Sequence, residues 1–247
     1  MATSKQEQSE LIGLMEGRAA LYDLLARVYQ NEVDGAFLQQ LRTMRYPQNS
    51  DNLKINDAFK RVYKVIRHAR EDILDVLSVD FARTFLGSGV LNPNAAFPYE
   101  SVYTSKHALV MQEARDEVLA IYRSQGLTKD ESWKDPEDHI SLQLQFESLL
   151  CRRIAQALHD GDDDLARKLV RTQYGFLVHH MLDWVPRFCT DVPRYAKNDF
   201  YAAFAQLTVE FLNEERALLE DIAQASGIEL DKNEEDVRER EEGESVA

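Results

Sequence analysis

The chain has 247 residues, 44% of them hydrophobic, which is ample for a core in one large domain or two small ones. A net charge of -14 argues against general nucleic-acid binding, which needs clustered Lys and Arg to neutralise phosphates. It suits attraction of a basic partner, or simply solubility. With 10 Gly and 6 Pro, the composition favours long helices over a turn-rich β fold.

Cys151 and Cys189 are the only cysteines and form no C-x-x-C, so neither a disulfide framework nor a cysteine zinc site is expected. The segment Met1–Glu7 lacks the basic start and apolar run of a signal peptide. No window approaches the ~18 apolar residues of a membrane span, so a cytoplasmic protein without stable membrane insertion is expected.

In chain order, residues 8–30 space Leu11, Leu14, Met15, Leu21, Leu24, Leu25 and Val28 as the stripe of an amphipathic helix. Phe37, Leu38 and Leu41 predict a short second helix ending near Tyr46-Pro47. A third, capped by Asp51, carries Ile55, Phe59, Val62, Tyr63 and Ile66. A fourth runs from about Glu71 to Leu86, stopped by Gly87-Ser88-Gly89. After a loop with Asn92, Pro93, Asn94 and Pro98, helical spacing resumes from His107 to Tyr122 and stops at Gly126. Residues 126–135 read as a linker or hinge. Three long stretches follow, about 136–159, 162–184 and 197–225, with Pro186 and Pro193 punctuating the last gap. The tail from Glu229 to Ala247 holds nine acidic and three basic residues and reads as disordered. The pattern is all-α.

The sharpest local signal is Asp135-Pro136-Glu137-Asp138-His139-Ile140. Asp135 suits an N-cap, Pro136 the first helical position, and Glu137 and Asp138 the positive end of the helix dipole. That leaves His139 on an exposed first turn with Trp133 upstream, where Asp138 and His139 offer hydrogen bonds to an incoming peptide. Asn92–Tyr103 brings Phe97, Tyr99 and Tyr103 into or beside a loop, either as contact surface or as plugs between helical layers. Phe81 and Phe85 have the spacing of core residues.

No H-E-x-x-H or Glu-x-x-His occurs, and of His179-His180 one is expected in the core and one in solvent. P-loop, dinucleotide and nucleophile-elbow motifs are missing too, so no cofactor, metal or catalytic residue is expected.

Three segments, Asp80-Phe81-Ala82-Arg83-Thr84-Phe85-Leu86-Gly87, Pro98-Tyr99-Glu100-Ser101-Val102-Tyr103 and Pro136-Glu137-Asp138-His139-Ile140, together resemble the TorD/DmsD family of redox-enzyme maturation chaperones. Their order and separation also look like the family's. The motifs span about residues 80–146, and the helical pattern fits from about 8 to 225.

The resemblance implies a TorD-like helical bundle over residues 1–228. Its N-terminal part (about 8–125) and C-terminal part (about 137–225) would meet at a hinge near 126–136. It implies a client: the twin-arginine signal peptide, and the apoenzyme, of a molybdenum-cofactor oxidoreductase of the dimethyl sulfoxide or trimethylamine oxide reductase type or a related one. Peptide-binding roles carry over to Tyr99, Glu100, Pro136, Asp138 and His139, with Phe81 and Phe85 as groove aromatics. Glu100 and Asp138, taken as exposed, would pair with the two arginines. Members are also reported to exchange domains, so a monomer or a swapped homodimer is expected. Two other classes stay open: a helical hydrolase or nucleotide-dependent enzyme using Asp138 and His139, and a helical adaptor in which the motif is only a cap.

Overall fold

The computed structural model describes residues 5–46, 50–67, 70–87, 94–130 and 132–230. Among them are ten α-helices and no strand: α1 (Lys5–Gln30), α2 (Gly35–Thr43), α3 (Leu53–Arg67), α4 (Ile73–Phe85), α5 (Glu100–Thr104), α6 (Glu113–Ser124), α7 (Ile140–Asp160), α8 (Asp163–Phe176), α9 (Val185–Tyr195) and α10 (Asp199–Ser226). A π-helical turn, Leu177–Met181, follows α8 directly. The acidic residues 231–247, the Gly-Ser-Gly stop beyond Gly87, and Asn92 and Pro93 lie outside the described residues.

The apolar stripes decide the packing. α1 lies along α7, α3 along α10, and α4 against α9, so early and late helices share one hydrophobic core. Caps set the boundaries. Asp34 accepts the Phe37 N–H and starts α2. For α3 the cap is Asn52, not Asp51: its Oδ1 accepts from the N–H groups of Lys54 and Ile55. Gly161 (φ +74°) and Gly227 (φ +64°) end α7 and α10 in the left-handed conformation that a C-cap turn requires.

Two sequence expectations fail here. Residues 107–126 are not one helix, because residues 105–112 form a loop with Ala108 (φ 50°) and Met111 (φ 59°) both left-handed. Residues 185–195 are a helix and not a gap. Pro186 sits in the first turn, where its missing N–H costs nothing, and Val185, Phe188, Cys189 and Val192 bury one face.

Phe81 and Phe85 are core residues, 5% and 1% exposed. Phe85 makes edge contacts with Tyr29 and Tyr201 and lies 5.1 Å, ring to ring, from Phe81. They do not line a surface groove, because α9 and α10 cover that face of α4. Asp80 fixes the junction between those two helices: its Oδ1 accepts from the Lys197 N–H and its Oδ2 from the Asn198 N–H, both at 2.8 Å.

A polar cluster ties α1, α7, α8 and α10 together inside the bundle. Arg18 Nε donates to Glu215 Oε1 at 2.9 Å, and Arg18 Nη2 donates to Glu215 Oε2 at 2.6 Å and to Gln173 at 3.2 Å. Both charged side chains are under 5% exposed. Glu147 lies in the same core with no hydrogen bond of good geometry to either carboxylate oxygen among the described residues, and burial pushes its carboxyl up to about 8, nearby Gln173 pulling partly back.

Two stability predictions follow from this cluster. Glu215→Ala strands the Arg18 guanidinium in the core and should cost about 3–5 kcal/mol in urea unfolding. Glu147 binds a proton in the folded chain that the unfolded chain releases near 4.5, so it costs stability as pH rises from there through about 8. Glu147→Gln should therefore be more stable than the parent at pH 8 by on the order of 1–3 kcal/mol, the gap closing in acid. Equal stabilities at both pH values would contradict the buried, protonated carboxyl.

Candidate functional site

The second and third sequence motifs meet. Tyr99 and His139 form an antiparallel bridge, with the Ile140 N–H donating to the Pro98 carbonyl (2.9 Å) and the Glu100 N–H to the Asp138 carbonyl (3.1 Å). Pairing needs extended backbone at His139 (φ -68°, ψ 135°), and this explains why α7 starts at Ile140 and not at Pro136. Asp135 is therefore not its N-cap. His139 is, its Nδ1 accepting the Ser141 N–H at 3.1 Å. Asp138 caps the other helix of the junction, its Oδ2 accepting the Ser101 N–H in the first turn of α5 at 2.9 Å.

The sequence reading placed Glu100, Asp138 and His139 at an exposed surface, and the fold places them inside. Their exposures are 2%, 0% and 4%. Each is drawn in because it satisfies a backbone or side-chain group of the junction, which an exposed residue could leave to water. His139 stands edge-on to Tyr99 (5.1 Å) and Trp133 (5.4 Å), and burial pulls its imidazole down to about 4, so it is neutral at physiological pH. Tyr99 and Pro136 stay partly exposed, and the Tyr99 hydroxyl donates to Asp135 at 2.7 Å. Glu137, given no role from sequence, pairs with Arg115 of α6 (2.6 Å) and Lys129 (3.1 Å), tying residues on either side of 126–136 together.

Glu100 is the focus of a second network. The Trp184 indole N–H donates to Gln143 Oε1 at 3.1 Å, and Gln143 Nε2 donates to Glu100 Oε2 at 2.5 Å. His180 Nδ1 lies 3.1 Å from Glu100 Oε1. Burial pushes the Glu100 carboxyl up, and the contacts from His180 and Gln143 pull partly back. His180 is buried while His179 is exposed, the division expected of the pair.

Glu100 also lines the floor of an open cleft of about 400 Å³ between α5, the start of α6 and the π turn. Its walls carry Glu113, Glu117, Asp183 and His179, with Lys106 as the one Lys or Arg among the lining residues. Beside it, the 105–112 loop exposes Leu109 (53%), Val110 (43%) and Met111 (60%). The loop is held by the Gln112 N–H donating to Ser101 Oγ at 3.1 Å, one residue from Glu100. Sequence reasoning missed this surface because Val110 and Met111 continue an apolar helical period. It also missed Gln143 and Trp184. Gln143 was legible as a polar residue beside the apolar positions Ile140 and Leu144 of α7.

The described residues contain no group of three or more His, Cys, Asp or Glu arranged to hold a metal ion. No helix among them is long and apolar enough to cross a membrane.

Asp138→Ala should destabilise the chain by about 0.5–2 kcal/mol through loss of the α5 cap, read as a lower urea midpoint at unchanged slope. By NMR, His139 should titrate near 4. Because the unfolded imidazole protonates at its ordinary 6.5, this residue withdraws stability as pH falls from 6.5 towards 4. A His139 titrating at 6.5 would place it in solvent.

Comparison with known proteins shows the family. The family model described as nitrate reductase delta subunit matches residues 48–190. The chain is 26% identical over 213 residues to the chaperone protein TorD of Aliivibrio salmonicida (strain LFI1238), covering 83% of this chain and 95% of that one. With the chaperone protein TorD of Psychrobacter sp. (strain PRwf-1) it shares 28% over 222 residues, covering 84% and 94%. With that of Vibrio cholerae serotype O1 (strain ATCC 39541 / Classical Ogawa 395 / O395) it shares 26% over 221 residues, covering 87% and 97%. The chain thus belongs to the nitrate reductase delta subunit family, the NarJ/TorD group of non-enzymatic chaperones for redox-enzyme maturation.

Proposed function

We propose that this protein is a cytoplasmic chaperone that holds the twin-arginine signal peptide of a molybdenum-cofactor oxidoreductase until its apoenzyme is loaded with cofactor. The observation that carries this reading is the acidic cleft at Glu100 together with the exposed apolar side chains of the neighbouring 105–112 loop. A twin-arginine leader presents two guanidiniums followed by an apolar run. Glu113, Glu117 and Asp183 supply carboxylates for the first. Leu109, Val110 and Met111 supply surface for the second.

In this reading the sequence motif acts from behind the binding face. Asp138, His139 and Pro136 hold Tyr99 and Glu100 in register, and Glu100 is the motif residue that reaches the cleft. Phe81 and Phe85, packed against Tyr201 in the core, do not touch the peptide. The segment 126–136, pinned through Lys129 and Glu137, would be the hinge of any domain exchange.

Calorimetry with a twin-arginine peptide tests the assignment. The triple variant Glu113→Gln, Glu117→Gln, Asp183→Asn should bind at least about tenfold more weakly, roughly 1.4 kcal/mol or more, with a steeply reduced salt dependence. Asp138→Ala should weaken binding only as far as it loosens α5. Unchanged affinity in the triple variant would remove the cleft from the account.

A further inference from the structure

The Glu100–His180 contact differs from the other buried polar pairs in that each partner lines a different cleft. Glu100 lies on the floor of the acidic cleft, and His180 lines a second one, of about 500 Å³, on the far side of the π turn. Between them His180 Nδ1 lies 3.1 Å from Glu100 Oε1, with the two residues 9% and 2% exposed. Local structure fixes this geometry. The Leu182 N–H reaches back five residues to the Leu177 carbonyl (2.8 Å), which makes the turn π-helical. The turn buries His180 and leaves His179 exposed, and such turns occur frequently at functional sites. The His180 ring rests on Phe176, 5.3 Å centre to centre, and Phe176 is itself packed against Phe146 and Tyr122. On the carboxylate side, Gln143 Nε2 donates to Oε2, and the Trp184 indole N–H holds Gln143 in turn.

A carboxyl and an imidazole in this contact have two charge states. In one the pair is neutral overall, as carboxylate with imidazolium or as carboxylic acid with imidazole. In the other it has lost one proton and is negative. An interior with little water disfavours an uncompensated charge, so burial favours the neutral state. Burial pushes the Glu100 carboxyl up, His180 and Gln143 pull it partly back, and the charge of Asp138 adds to the rise. Glu113, Glu117 and Asp183 of the acidic cleft also oppose loss of the proton, while Lys106 there favours it. Beyond His180, Lys168 and Arg171 of α8 favour it too, in a cleft with no acidic lining residue. Tyr122 of α6, which also faces Glu100, stays a neutral phenol because burial pushes its hydroxyl well up. The cation that α9 brings to α5, Arg187, is bound at the Tyr103 carbonyl.

We propose that His180 sets the charge of the cleft floor: the pair keeps its proton while the cleft is empty and releases it to solvent when a guanidinium enters beside Glu100. The inference rests on the signal-peptide reading of this cleft and adds its regulation. A cation beside the carboxylate stabilises the deprotonated state, so arginine and proton exclude one another. Acid therefore opposes binding, and affinity rises with pH until the empty chain has itself lost the proton. His180 is a positioning residue here, acting through Glu100 and not by touching the peptide.

The test is calorimetry of the full chain with an N-acetylated synthetic twin-arginine peptide, in two buffers of unlike ionisation enthalpy, between about pH 6 and 8. His179, an ionisable group on the same wall, is replaced by Asn in every chain compared. Binding should release protons at about pH 7, seen as an enthalpy that depends on the buffer. Affinity should rise at least about fivefold across the range. Glu100→Gln should bind more weakly and lose the proton release. His180→Asn keeps a side-chain hydrogen-bond donor for Glu100 but carries no charge. It should lose the release at neutral pH and bind at least as tightly as its parent in acid, where no imidazolium offsets Glu100. A merely structural role would weaken binding at every pH. A buffer-independent enthalpy in the parent, or the same release in His180→Asn, overturns the inference and leaves the signal-peptide reading standing. No binding of the peptide to the parent overturns that reading, and this inference with it.

Discussion

The short antiparallel pairing of Pro98–Glu100 with Asp138–Ile140 is the constraint on which the rest depends. Two backbone hydrogen bonds and one carboxylate cap join segments nearly forty residues apart in sequence, and they determine where α5 and α7 begin. Because the pairing is buried, the side chains around it must satisfy each other. His139 caps its own helix, Asp138 caps the facing one, and Glu100 is met by Gln143 and His180. Leaving the Ser101 N–H or the Glu100 carboxylate unpaired in the interior would cost about 1–3 kcal/mol; the second oxygen of Asp138 has no hydrogen-bond partner among the described residues.

From that junction the surface chemistry follows. Ser101, next to Glu100, holds the 105–112 loop through Gln112, so the exposed Leu109–Met111 is placed by the same short helix that Asp138 caps. Glu100 leads through His180 to the π turn, and the exposed neighbour His179 stands on the wall of two clefts. One is the acidic cleft at Glu100; the other, lined by Lys168 and Arg171 of α8, has no acidic residue in its lining. A single buried carboxylate–imidazole contact thus lies between two surfaces of opposite charge.

Much of the fold was legible in the sequence, because amphipathic spacing and helix punctuation are local signals. Leu11 to Val28, Phe37 to Leu41 and the stripes of α3, α4, α7 and α10 all appear where the periodicity puts them. α9 was not legible, since Pro186 and Pro193 read as breakers unless the first lies in the opening turn. The loop at 105–112 was hidden for the converse reason: Val110 and Met111 keep a helical period without being buried. The motif residues were legible as important, but not for the right contact. The family resemblance was read with Glu100 and Asp138 as exposed carboxylates, whereas a tertiary pairing that no local pattern encodes turns both inward. The acidic cleft draws on α5, α6, His179 of the π turn and Asp183 just beyond it, and only the fold brings these together.

Hydrogen exchange on the full chain, with and without a twin-arginine peptide at saturating concentration, addresses the central claim most directly. If the motif scaffolds a peptide cleft and does not itself form the contact surface, added protection should concentrate in residues 105–117 and 179–183. The already buried amides at 98–101 and 138–141 should change little. Protection confined to α4, or absent from 105–117 while the peptide is demonstrably bound, would contradict it.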